Sequence, residues 1–145
     1  MEPFKGELAE GSVRIYRMKE IMEQNFRKYE NLAVWQNSME VVKIVYEFTS
    51  MFPKSEMLAL SSQMRRCAVS IPSNIAEGYR RGGSKEFAHF LRFSYGSGAE
   101  LETQIKVAQM LSYGSNFNLE TLHIKLNSVM KLLHTMLKNT KQPLA

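Results

Sequence analysis

Between Leu60 and Ile75 the side chains of Leu60, Met64, Cys67, Ala68, Ile71 and Ile75 recur at intervals of three and four residues. That rhythm places them on one face of an α-helix and leaves no period-two alternation from which a strand could be built. It returns in Phe87, Phe90, Leu91, Ser94, Gly98, Leu101, Ile105, Ala108 and Leu111, and again in Leu119, Leu122, Leu126, Val129, Leu133 and Leu137. A fourth apolar segment precedes them, from about Val34 to Met51. It stops at Phe52-Pro53 because the residue before a proline avoids helical backbone.

Local signals set the remaining boundaries. Ser55 is the expected N-cap of the second helix, which runs to Gly78. Pro72 lies inside it and should free a carbonyl near position 68, which Ser73 could help to satisfy. Gly78, Gly82 and Gly83 end that helix and Ser84 caps the next. In the third helix Ser94, Ser97, Gly98 and Ala99 are small enough for a neighbouring backbone to approach. Tyr113-Gly114 ends it, and Asn118 caps a fourth helix that closes near Lys138. The expected fold class is all-α, an antiparallel up-down-up-down four-helix bundle over residues 31–140 with an N-terminal extension at 1–30 and a tail at 141–145. In the extension, Gly6, Gly11 and Ser12 interrupt the start, and Val13 to Tyr29 read as a charged helix with a poor apolar face.

The chain has 145 residues, 44% apolar and 23% charged, enough for a globular core. No apolar run is long enough to cross a bilayer, and no secretory leader is expected. One cysteine, Cys67, is compatible with a reducing compartment, so the expected location is cytoplasmic. Residues 1–30 balance six basic against six acidic side chains, whereas 31–145 carry 13 basic and 8 acidic, so the net charge of +5 belongs to the helical part. A basic excess there favours a polyanionic partner, with ordinary solubility charge as the alternative.

On the first bundle helix, Trp35, Met39, Val42 and Tyr46 form one apolar stripe. Val34, Val41, Val45, Phe48 and Phe52 form a second, and Ile44 widens the arc to roughly 220°, against little more than 100° for an ordinary surface helix. Another copy of the chain would cover the surplus, so Val41, Ile44, Val45 and Phe48 are the expected oligomer contacts. The alternative is that the N-terminal segment folds over it.

Three constellations bear on chemistry. The corner Tyr79-Arg80-Arg81-Gly82-Gly83-Ser84-Lys85 sets three cations around glycines that lead into a helix N-terminus, a combination suited to phosphate. Arg92 and Arg65 are expected to extend it, and the alternative is a solvated turn. The line Gln63, Arg66, Ser70, Asn74 and Glu77 faces Ser97, Glu100 and Gln104 in similar register, giving an expected structural polar network with Arg66 paired to Glu100. Glu86-x-x-His89 and Glu120-x-x-His123 have the spacing of di-iron bundles. In antiparallel helices, however, they fall at opposite ends, so no metal is expected. The ten methionines and Trp35 read as packing. With no nucleophile held beside a base, neither catalysis, a cofactor nor a small-molecule substrate is expected.

A resemblance adds to this reading. The segments Leu32-Ala33-Val34-Trp35-Gln36, Phe52-Pro53 with Glu56, and Leu60 with Gln63 come in order. They lead into Arg65-Arg66-Cys67-Ala68-Val69-Ser70-Ile71-Pro72-Ser73-Asn74-Ile75-Ala76-Glu77-Gly78. Lys85-Glu86-Phe87, Phe90-Leu91, Gly96-Ser97 and Glu100-Leu101-Glu102 follow. Together they resemble the bacterial four-helix-bundle proteins encoded within intervening sequences of large-subunit ribosomal RNA genes. The resemblance implies an antiparallel bundle and assembly into pentameric rings. It also relates the chain to the basic, nucleic-acid-binding accessory protein of diversity-generating retroelements. RNA or another nucleic acid is therefore the expected partner, with a protein-interaction adaptor as the alternative. The long N-terminal extension and Tyr95, where small residues are commoner, depart from the family pattern.

Overall fold

The computed structural model describes residues 4–26 and 28–140, and the expected tail at 141–145 lies outside them. Among the described residues there are five α-helices and no strand. They are α1 (Phe4–Phe26), α2 (Ala33–Thr49), α3 (Leu60–Arg81), α4 (Ser84–Met110) and α5 (Glu120–Thr140), with 3₁₀ turns at Lys28–Asn31 and Lys54–Glu56. The second half of the chain thus follows the three-four periodicity closely, while several ends fall elsewhere.

Helix α3 does not start at Ser55. Lys54–Glu56 form a 3₁₀ turn, and Glu56 Oε2 accepts a hydrogen bond from the Leu60 N–H at 3.2 Å. A carboxylate one turn upstream therefore serves the helix start where a serine cap was expected. The helix continues through Pro72 and past Gly78 to Arg81. Ser73 Oγ donates to the Val69 carbonyl at 2.8 Å, not to the carbonyl at 68 that Pro72 leaves. Gly83, not Ser84, occupies the cap position of α4. At α5 the expected cap holds, since Asn118 Oδ1 accepts from the Glu120 N–H at 2.9 Å. Helix α1 runs unbroken through Gly6, Gly11 and Ser12, and Val13, Ile15, Tyr16, Met18, Ile21 and Met22 along it are exposed.

Helices α2 to α5 pack in ring order, α2 on α3, α3 on α4, α4 on α5 and α5 back on α2. Residue numbers rise along one member of a pair as they fall along the other. Asn37 meets Ser128 and Glu40 pairs with Lys125 at 2.8 Å across α2 and α5, while Ser94 and Ser97 meet Ile71 and Ser70 across α4 and α3. Val41, Val45, Phe48, Met64, Ile71, Ile75, Leu91, Leu101, Leu122, Val129 and Leu133 are wholly enclosed between them.

This enclosure corrects the expected oligomer contacts. Val41, Val45 and Phe48 have 0% exposure within one chain, and Ile44 packs against the same core. The wide apolar arc of α2 is used at home because α2 touches α3, α5 and the Lys28–Asn31 turn. A helix with three neighbours needs more than one stripe. Of that arc only Met39 and Tyr46 stay exposed, and the Arg65 guanidinium lies 4.7 Å above the Tyr46 ring.

Candidate nucleic-acid interface

Helices α3 and α4 approach so closely that a Cβ on Gly78 would lie 2.5 Å from Phe90 Cβ. Gly78 is therefore a packing glycine, not the helix terminator expected from its type. Four and five residues later Gly82 and Gly83 adopt φ of +73° and +82°, a region L side chains avoid, and the chain reverses into α4. No side chain caps α4. Its leading N–H groups thus face outward at the corner, where the helix dipole favours an anion.

The two arginines of this corner are perched on aromatic rings. The Arg80 guanidinium lies 5.2 Å from the Tyr29 ring centre and that of Arg81 lies 5.0 Å from Phe90. Beneath them the rings interlock edge to face. Tyr29 meets Trp35 at 5.6 Å and Tyr79 at 6.4 Å, and Tyr79 meets Phe87 at 5.8 Å. This scaffold draws the Lys28–Asn31 turn onto the end of α3, so the part of the chain just before α2 helps to build the site.

Arg81 also pairs with Glu77 at 3.0 Å, both side chains about half exposed. Such an i,i+4 pair is worth about 0.3–0.5 kcal/mol. Glu77 therefore holds Arg81 only weakly. Lys85 is exposed at the start of α4. Arg92, further along, lines an open groove of about 420 Å³ with His134, Leu137 and Lys138. Lys138 thus joins this end of the molecule from α5, which spacing within α4 alone could not reveal.

Arg65 does not belong to this surface. It lies fifteen residues before Arg80, roughly 22 Å along α3. Its Nε donates to Thr49 Oγ1 at 2.9 Å. An outward direction shared by two residues of one helix does not bring them to the same end.

The polar line is real in part. Ser70 Oγ donates to the Cys67 carbonyl at 2.7 Å and accepts from Ser97 Oγ at 2.6 Å, Asn74 Nδ2 donates to the Ser70 carbonyl at 2.8 Å, and Ser94 Oγ donates to the Ile71 carbonyl at 2.9 Å. Cys67 Sγ donates to the Ser97 carbonyl at 2.9 Å, and burial, with the charge and hydrogen bonding of Glu100, pushes its thiol up to about 12. The expected Arg66–Glu100 pair does not form. Arg66 is exposed, while Glu100 faces Cys67 and accepts from Gln104 Nε2 at 3.5 Å. Gln104 Oε1 is buried without a partner. Glu77 serves Arg81 instead of the network. These bonds tie α3 to α4.

His89 lies in the first turns of α4, whereas His123 lines a groove with Gln109 near its far end. Twenty residues of helix, roughly 30 Å, separate the two Glu-x-x-His pairs. No group of three possible metal ligands occurs among the described residues, nor is any described helix long and apolar enough to cross a membrane.

Interlocked helices ending in a cationic, aromatic-backed corner define a helical-bundle protein with a basic end. More particularly, the chain belongs to the 23S rRNA-intervening sequence protein family, whose model matches residues 30–135. No curated protein matches it. The matched region begins one residue after Tyr29 and leaves out the whole of α1.

Proposed function

We propose that this protein is a non-enzymatic, antiparallel up-down-up-down four-helix bundle that associates with RNA through the α3–α4 corner. The observation that carries the reading is Arg80 and Arg81, held on the Tyr29 and Phe90 rings beside Lys85 and an uncapped helix start. Cations fixed in place lose less side-chain entropy on meeting phosphate than cations on a free loop. Membership of a family named for intervening sequences in 23S rRNA supports RNA as the polyanion. Self-association, with the pentamer that the resemblance implies, enters the same proposal because it would repeat a modest patch around a ring.

The test is the salt dependence of binding to a fluorescent RNA oligonucleotide. Arg80→Glu, Arg81→Glu and Lys85→Glu together should weaken binding strongly. The slope of log affinity on log salt should fall by about 2, roughly 0.7 for each lost contact to a single strand. Helicity should not change. Equal affinity and equal slope in the variant would remove the corner from consideration. Light scattering on the same samples reads the subunit number.

A protein-interaction adaptor is the second reading, favoured by the exposed apolar side chains of α1. Partners retained from extract after nuclease treatment would support it, and partners released by nuclease would support RNA.

A further inference from the structure

Beyond the corner, α4 displays a face that packing does not explain. Lys85, His89, Arg92, Phe93 and Gly96 are all exposed. Their spacing confines them to roughly 100° of the helix circumference, opposite the buried Ala88, Leu91, Ser94 and Gly98. Phe93 is 51% exposed. Its ring stands 4.7 Å from His89 at 76° and 6.0 Å from Phe90 at 64°, so neither neighbour lies flat against it. Phe90 in turn carries the Arg81 guanidinium, so the aromatic group adjoins the cationic corner directly. Gly96, about one turn beyond Phe93, has nothing within 4 Å of where its Cβ would be. Packing therefore does not require a glycine there, although glycine is a poor helix former. Its effect is to leave the helix surface flat beside an exposed ring.

Resting on the RNA reading above, we propose that this face of α4 is a stacking platform for an unpaired base, so the nucleic acid recognised is single-stranded. A flat ring in water attracts another flat π-surface, and every base offers one. Duplex RNA hides its base faces within the helix and presents phosphates and ribose to the protein. Phe93, edged by His89, supplies the ring. Lys85 and Arg81 on one side and Arg92 with Lys138 on the other are placed for the flanking phosphates. The combination of cationic groove and aromatic ring fits a single strand better than a second protein, whose apolar contact would leave several of these cations without partners.

The experiment compares a short oligouridine, an RNA duplex and an abasic ribose-phosphate strand of equal length, each titrated with the full chain. Phe93→Ala should weaken oligouridine binding by roughly five- to 150-fold, the range that one lost base–aromatic stack corresponds to. Affinity for the abasic strand and the duplex should stay unchanged. Phe93→Trp should restore oligouridine binding, and Gly96→Leu should mimic Phe93→Ala by covering the platform. If Phe93→Ala binds oligouridine like the parent while the triple charge reversal abolishes binding, the platform is wrong and the corner stands. If the parent chain binds none of the probes, both fall. If Phe93→Ala lowers the particle mass in light scattering, the ring is a subunit contact and the platform is overturned.

Discussion

Replacing Gly78 by alanine sets two opposed effects against each other in one residue. Alanine in a helix interior is favoured over glycine by about 1 kcal/mol. Against this, the new Cβ would meet Phe90 Cβ at 2.5 Å and Phe90 Cγ at 3.2 Å, where carbon atoms prefer about 3.5–4.0 Å. Phe90 Cβ is bonded to the α4 backbone, so no rotamer change removes the contact and the two helices must separate. Overpacking of this kind costs about 1–3 kcal/mol, which exceeds the propensity gain over most of its range. Gly96→Ala is the internal control, since its Cβ enters open space and only the favourable effect remains. Gly98→Ala is intermediate, because its obstacle is the flexible end of Met130. Thermal unfolding should order the three variants with Gly96→Ala above the parent, Gly98→Ala near it and Gly78→Ala below. For a chain of 145 residues, each 1 kcal/mol moves Tm by about 3 °C. A Gly78→Ala protein as stable as Gly96→Ala would refute the close α3–α4 approach, and with it the placement of Arg81 over Phe90.

Two further outcomes follow from single groups. Cys67 has its thiol raised on folding, so its contribution to stability is complete below the unfolded value near 9 and is lost as pH rises toward about 12. Cys67→Ala should flatten that alkaline decline in denaturation experiments. In the folded parent at pH 8, iodoacetamide should modify Cys67 far more slowly than in denaturant. Asn118→Ala removes the acceptor for the Glu120 N–H and should cost about 1 kcal/mol in urea unfolding, with little change in the slope.

The apolar rhythm made the helices legible because each buries one face, and the interior positions from Met64 to Ile75 and from Leu122 to Leu133 are where the periodicity puts them. What misled was context. Val41, Val45 and Phe48 exceed the stripe of an ordinary surface helix because α2 packs against α3, α5 and the Lys28–Asn31 turn. Arg66 and Glu100 lie on facing helices, but Glu100 turns to the Cys67 thiol. Gly78 looked like a stop signal because glycine serves both as terminator and as contact residue, and only the neighbouring helix decides which. In the candidate site, Arg80, Arg81 and Lys85 were readable from their run with glycines. Tyr29 and Lys138 were not, since they arrive from elements distant in the chain. Phe93 left a fainter mark: it falls off the apolar line of its own helix, two positions past Leu91.

The close glycine contact and the exposed cations are parts of one arrangement. Gly78 lets Phe90 sit against α3, and Phe90 then supports Arg81 from below while bordering Phe93. Separating α3 from α4 would therefore disturb the corner without altering any of its charges. A Gly78→Ala chain should keep its net charge and its long-range attraction for RNA yet hold the strand less tightly. Its association rate should stay near that of the parent while its dissociation rate rises, because steering depends on the summed field and retention on positioned contacts. The triple charge reversal should instead slow association. A Gly78→Ala protein that associates slowly but dissociates normally would mean that the aromatic perches do not position the arginines.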